Sequence, residues 1–124
     1  MRLLLDTHAL LWWLADDGLV AEARDAIADP ANLVTVSAAS AWEISIKKAL
    51  GKLAVPDDLE QQVQLTGFLP LSISVAHGIA AGQLDHHHED PFDRVLIAQA
   101  FAEGLTIVTR DKRFADYGVS SIPA

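Results

Sequence analysis

A chain of 124 residues with 51% hydrophobic and 21% charged positions has the length of one domain and is too apolar for disorder. It contains no cysteine, which excludes disulfides and thiolate metal sites, so any metal must be held by oxygen or imidazole. The net charge of −8 argues against a general nucleic-acid coat protein, which binds phosphates through excess Lys and Arg. It leaves room for an enzyme that reaches a polyanion through cations held on carboxylates.

The elements follow in order. Leu3 to Leu5 is an apolar run suited to a buried strand, stopping at Asp6, and His8 to Leu14 reads as a helix that Thr7 can cap. Val20 to Ala28 predicts a second helix, broken by Asp29-Pro30, and Leu33 to Val36 a second strand. A longer helix runs from Ser37 to about Leu50, with Gly51 as its stop, and Pro56-Asp57-Asp58 opens another. Leu69 to Ile73 is a third strand, followed by a helix through His77 and Ala81. After the loop from Asp85 to Glu89 comes a helix from Pro91 to Glu103, ended by Gly104. Leu105 to Thr109 is the clearest strand, and Val119 to Ile122 a short last one.

Uniformly apolar strands alternating with helices imply a parallel sheet covered on both faces, an α/β fold built as a three-layer α/β/α sandwich. One domain over residues 1–124 is expected. No apolar run approaches the roughly 20 residues that cross a bilayer, and Asp6 interrupts the N-terminal leucines before they form a signal sequence. The expectation is a cytoplasmic protein with no membrane partner.

In such sheets ligands bind beyond the carboxyl ends of the strands, which directs attention to the acids there. Asp6 directly follows a buried strand and reads equally as a helix cap or a ligand. Glu43 completes a capping box with Ser40. If the helix starts at Ser37 instead, Glu43 lies within about 60° of Ala39, Ile46 and Leu50, on an inward face. Asp93 lies within about 60° of Leu96, Ile97 and Ala100, on the apolar stripe of a helix that Asp90 already caps. An inward carboxylate needs a partner. Asp111, in Thr109-Arg110-Asp111, reads by itself as a turn residue paired with Arg110 or Lys112. The case for it is convergence of four acids from distant parts of the chain on one rim.

Carboxylates forced together raise one another's pKa unless a cation intervenes, and Mg²⁺ or Mn²⁺ does so through oxygen ligands. One or two such ions activate water and stabilise the leaving oxygen of a phosphodiester, which is nuclease chemistry. Arg94, Arg110, Lys112 and Arg113 fall near this rim, where they can hold substrate phosphates, though solvated surface charge is the commoner role. His86-His87-His88 suggests zinc, but three consecutive histidines in a loop do not readily face one ion. Trp12, Trp13 and Trp42 are expected in the core or on a dimer face, with base stacking the weaker reading. No Gly-rich phosphate loop, Gly-x-Gly-x-x-Gly or Ser-His-Asp order supports nucleotide binding or acyl transfer. A phosphoacceptor receiver domain has similar length and acidity, but the chain lacks a lysine at the end of the last main strand and a phosphorylatable aspartate after a middle strand.

Four segments, taken together, resemble PIN-domain toxins of the VapC type. They are Asp6-Thr7-His8 with Leu11-Trp12-Trp13, Ser40 through Lys47, His88 through Arg94 with Leu96-Ile97-Ala98-Gln99-Ala100, and Thr109-Arg110-Asp111. The resemblance spans nearly the whole chain. It implies a PIN-like fold and a Mg²⁺- or Mn²⁺-dependent endoribonuclease, commonly dimeric, restrained by a cognate antitoxin. By position it implies Asp6, Glu43, Asp93 and Asp111 as catalytic, metal-site acids, with Thr7 and Thr109 beside them. Asp90 stands three residues from Asp93, and which of the two ligates is left open. The alternative is a catalytically silent PIN-like binding module.

Overall fold

The N-terminal leucines form the central strand of a parallel sheet. In the computed structural model, which describes residues 1–124, β1 (Arg2–Leu5) lies between β2 (Leu33–Ser37) and β4 (Thr106–Thr109). β3 (Leu69–Leu71) and β5 (Ser121–Pro123) form the edges, in the order β3-β2-β1-β4-β5. All pairings are parallel, with Leu3 opposite Val34 and Thr106, and Leu5 opposite Val36 and Val108.

Alternation along β1 decides which helix layer each leucine meets. Leu3 and Leu5 share one buried cluster with Leu10 of α1 (Thr7–Ala15), Ala23 and Ile27 of α2 (Ala21–Ala28), and Ile44 of α3 (Ala38–Ala49). Leu59 and Val63 of α4 (Leu59–Thr66) pack against it. Leu4 points the opposite way, into a cluster with Leu96, Ile97 and Ala100 of α6 (Pro91–Glu103), Ile107 and Phe114. α5 (Val75–Gln83) packs beside α6. Two cores on opposite faces of one sheet make the expected α/β/α sandwich. They also explain why the first strand is apolar at every position: all three leucines are fully buried, each worth about 1.5–3 kcal/mol.

Helix boundaries follow their caps. The Ser37 hydroxyl accepts the Ala39 amide and starts α3 at Ala38, so the Ser40 capping box does not form. Asp90 accepts the amides of Phe92 and Asp93, with Pro91 at the first helical position and Gly104 closing α6 in the left-handed conformation at φ 66°. α1 begins one residue earlier than expected because Asp6, not Thr7, is its cap. The edge strands are where the expectation shifts: β3 ends at Leu71, and β5 begins at Ser121. Each pairs with a single neighbour, so only three residues of ladder fix its register. A 3-10 helix over Lys112–Tyr117, absent from the sequence reading, follows β4 and buries Phe114. One short 3-10 stretch gives no 3.6-residue pattern to detect.

The chain moves outward from β1 through β2 to β3 on one side, whereas β4 and β5 lie on the other. The order therefore reverses between β1 and β4, and a parallel sheet opens a crevice beyond its carboxyl ends at such a point.

Candidate active site

Asp6 enters this crevice from the end of β1. Its Oδ1 accepts the Ala9 amide at 2.8 Å, so it caps α1, and it is only 6% exposed. Burial pushes its pKa up, and the nearby Asp111 charge adds to this, while the Ala9 amide, the Thr109 hydroxyl and His8 oppose it. The two readings of Asp6, as cap and as site residue, are thus compatible.

Glu43 comes from α3 and is 4% exposed. Thr7 donates its hydroxyl to Glu43 Oε1 at 2.6 Å, and Lys47, one turn further along the helix, donates to Oε2 at 2.6 Å. Starting the helix at Ser37 is what turns Glu43 inward. Ser40, on the turn before, is fully buried, and its hydroxyl has no hydrogen-bond partner.

Asp93 lies in the first turn of α6. Its pKa is raised to about 8, first by burial and then by the charges of Asp90, Glu43, Asp6 and Asp111. Those four charges reach it from α6's own cap, from α3, from the end of β1 and from the segment after β4, so the tertiary structure brings all the expected acids together. Asp90 spends Oδ1 on two helix amides and acts on Asp93 mainly through its charge.

Asp111 differs from the others. Arg113 grips both of its oxygens, Nε to Oδ1 at 3.0 Å and Nη2 to Oδ2 at 2.8 Å, and holds its carboxyl at about 2, well below the usual range. The Thr109 hydroxyl accepts the Asp111 amide at 3.0 Å, fixing the turn out of β4. The ion pair of Asp111 is with Arg113, not with Arg110 or Lys112 as the local sequence suggests.

A further residue joins the group. His88 is 2% exposed, with Nε2 at 3.0 Å from Asp93 Oδ2 and 2.9 Å from Asp111 Oδ2. The ligand-type atoms of His88, Asp93 and Asp111 all lie within 4.8 Å of one another. His86 and His87 are exposed, so the three histidines do not face one ion, in line with the sequence, but His88 alone turns inward to the acids. The available signal was the position of His88, two residues before a helix cap whose next turn carries Asp93.

Among the four acids, Glu43 and Asp111 are compensated by Lys47 and Arg113, whereas Asp6 and Asp93 pair with no lysine or arginine. One buried and one partly buried carboxylate without a basic partner, beside two compensated ones, form an oxygen-rich donor set of net negative charge. That set fits a hard divalent cation of the Mg²⁺ or Mn²⁺ kind. A hollow of about 610 Å³, lined by residues of α3 and α4 such as Ala41, Ile44, Leu59 and Val63, includes none of the four acids.

Two expected phosphate-holding residues are employed elsewhere. Arg94 is only 9% exposed and donates to the carbonyls of Ala81, Leu84, Asp85 and His88, tying the loop before α6 to the helix. Burial and four backbone acceptors leave it no route to substrate. Arg110 lies 4.0 Å above the Trp12 ring and donates to Ala124 and Gly18 oxygens. Trp12 and Trp13 pack against the first core cluster as expected, but Trp42 is 60% exposed and meets Phe92 edge-on, so it is not a core residue.

The PIN domain family model matches residues 3–119. The chain is 26% identical over 121 residues to Ribonuclease VapC22 of Mycobacterium tuberculosis (strain ATCC 25618 / H37Rv), covering 92% of this chain and 90% of that protein. It is 33% identical over 97 residues to Ribonuclease VapC16 of the same organism, covering 58% and 69%. Among solved structures, it is similar in fold to a chain of VapBC2 from Rickettsia felis bound to a promoter DNA fragment, with TM-score 0.73, 14% identity, and 99% and 98% coverage. It is also similar to a chain of DNA-bound VapBC from Salmonella typhimurium, with TM-score 0.67, 16% identity, and 99% and 98% coverage.

Proposed function

Because this chain belongs to the PIN-domain family, of the VapC ribonuclease type, we propose that it is a Mg²⁺- or Mn²⁺-dependent endoribonuclease and the toxin of a toxin–antitoxin pair. The observation that carries the reading is Asp93: a carboxyl in the first turn of a helix, pushed up to about 8 by burial and by four other acids. Such an arrangement is costly for a folded chain unless a cation resides there.

In this reading Asp6 and Asp93 hold the metal directly, since neither is neutralised by a basic side chain. Glu43 and Asp111 complete the site while tethered by Thr7, Lys47 and Arg113. A divalent ion bound there supplies a lowered water pKa and charge stabilisation at a phosphodiester. The chain's own contribution is to fix the acids. Thr7 and Lys47 hold both oxygens of Glu43, and Thr109 sets the turn that delivers Asp111. Asp90 stays at its capping position. Arg113, exposed at the rim beside Asp111, is the cation best placed to meet a substrate phosphate.

RNA is the substrate class, by likeness to the ribonuclease relatives, and a cognate antitoxin is the partner, by likeness in fold to a toxin-antitoxin complex from Klebsiella pneumoniae. The protein is taken to act as a single domain in the cytoplasm, as a homodimer; no helix of the structure is long and apolar enough to cross a membrane.

The test is cleavage of total RNA by purified, antitoxin-free protein. Activity with Mg²⁺ or Mn²⁺, abolished by EDTA and by Asp6→Asn, is expected. If wild type and Asp6→Asn are equally inert with either metal, while RNA still binds, the chain is a silent binding module.

A further inference from the structure

We propose that His88 is a positioning residue of the site: a fixed Nε2–H tautomer that donates to Asp93 and Asp111 together and sets their separation without ligating metal. The proposal deepens the metal-site reading and rests on it for its functional consequence, but the tautomer itself is decided by geometry around the ring.

The peptide N–H of Asp90 points at His88 Nδ1 across 3.1 Å. An N–H cannot donate to a second N–H, so Nδ1 is the acceptor and the ring proton is on Nε2. That nitrogen faces Asp93 Oδ2 at 3.0 Å and Asp111 Oδ2 at 2.9 Å, where a proton shared between two carboxylate oxygens is the complementary group. Neither ring nitrogen is then available to an ion, since one carries a proton and the other accepts the chain.

The ring's orientation is determined from all sides. Phe114 meets it edge-on at 5.7 Å between centroids. The His88 amide donates to the Tyr117 hydroxyl at 2.8 Å, and the His88 carbonyl accepts Arg94 Nη1 at 3.1 Å. This gives Arg94 and the 3-10 helix a purpose: they hold the backbone from which the imidazole reaches the acids. A neutral donor relieves repulsion between Asp93 and Asp111 without adding a cation that would compete with the metal. In metal sites, partners of this kind orient the ligands, and losing one typically lowers metal affinity roughly 10–100-fold.

Two substitutions separate the ring's two nitrogens. Glutamine can place an N–H near the Nε2 position but loses the acceptor for Asp90, whereas asparagine can keep that acceptor and cannot reach the acids. Mn²⁺ affinity measured by calorimetry is expected to stay within about threefold of wild type in His88→Gln and to fall tenfold or more in His88→Asn. Equal affinity in wild type and His88→Asn overturns the proposal.

The ring is read independently by imidazole ¹⁵N spectra of the metal-free wild-type protein, the His88 signal being assigned by its loss in either variant. The expected pattern is the Nε2–H tautomer, unchanged when Mg²⁺ is added. An Nδ1–H tautomer, or Mg²⁺ displacing the Nε2 proton, overturns the proposal even if His88→Asn fails to fold. Absence of Mn²⁺ binding by the wild type would instead overturn the metal-site reading, and the spectrum would still decide the tautomer.

Discussion

The hydroxyl of Thr7 donates to Glu43 across 2.6 Å, linking the first residue of α1 to the middle of α3 beneath the rim of the sheet. Both groups are buried, so the bond does not compete with water, and it leaves Glu43 Oε2 to Lys47. Thr7→Val keeps the shape and removes the donor. The loss of a hydrogen bond to a buried charged group is expected to cost about 1.5–3 kcal/mol of stability. Activity should fall as well, because Glu43 is no longer fixed. Chemical denaturation together with RNA cleavage checks this; unchanged values for both would show that the bond is incidental.

Asp93 gives a pH dependence with a defined sign. Its folded pKa of about 8 lies above the ordinary 3.8, so its contribution to stability is complete below about pH 4 and is lost as pH rises through 8. Metal-free protein should lose melting temperature between pH 5 and 8.5. Asp93→Asn, which cannot ionise, should escape that loss and melt at least about 5 °C higher at pH 8. A difference between the two proteins that is constant with pH would contradict the raised value.

The same proton competes with the metal. Below pH 8, ion binding must displace it from Asp93, so Mn²⁺ affinity is expected to climb with pH, by roughly tenfold per unit at most, and to level off above. Calorimetric titrations at pH 6, 7 and 8.5 measure this directly, and a flat profile would remove Asp93 from the ligands.

Arg94 is expected to behave as a structural residue. Arg94→Ala strands four backbone carbonyls and should lower stability by about 3 kcal/mol. Arg113→Ala should leave stability nearly unchanged, because Arg113 is exposed and its pair with Asp111 is screened by water, and raise KM for RNA. The reverse ranking, with Arg94 controlling KM and Arg113 controlling folding, would show the two roles to be exchanged.

Ser40 is the one buried side-chain polar atom without a partner. Replacing it by alanine removes a desolvated hydroxyl and is expected to be neutral or to stabilise by about 1 kcal/mol. A loss of more than that in thermal melts would mean that the hydroxyl has a partner in solution.

Much of this architecture was legible in the chain. Leu3 to Leu5 read as a buried strand, and Asp90-Pro91 with Gly104 marked both ends of α6, because caps and apolar runs are local signals. Asp6 and Asp93 followed from those boundaries, one by its place at a strand end and the other by its position on an apolar helix stripe. Glu43 hinged on which serine capped α3, and the family resemblance carried Asp111.

What the sequence by itself determined, then, was the layered α/β arrangement and a set of candidate acids for one rim. Tertiary structure alone decided how each acid is compensated. Arg94 looks like a phosphate binder until the loop carbonyls close around it, and His88 looks like one of three loop histidines until Asp90, Phe114 and Tyr117 orient it. The reason is physical. Helix and strand signals act over a few residues, but the environment of a charged group is set by residues from distant segments, here Asp93 by Asp6, Glu43, Asp90 and Asp111 together, and only the folded chain brings them into range.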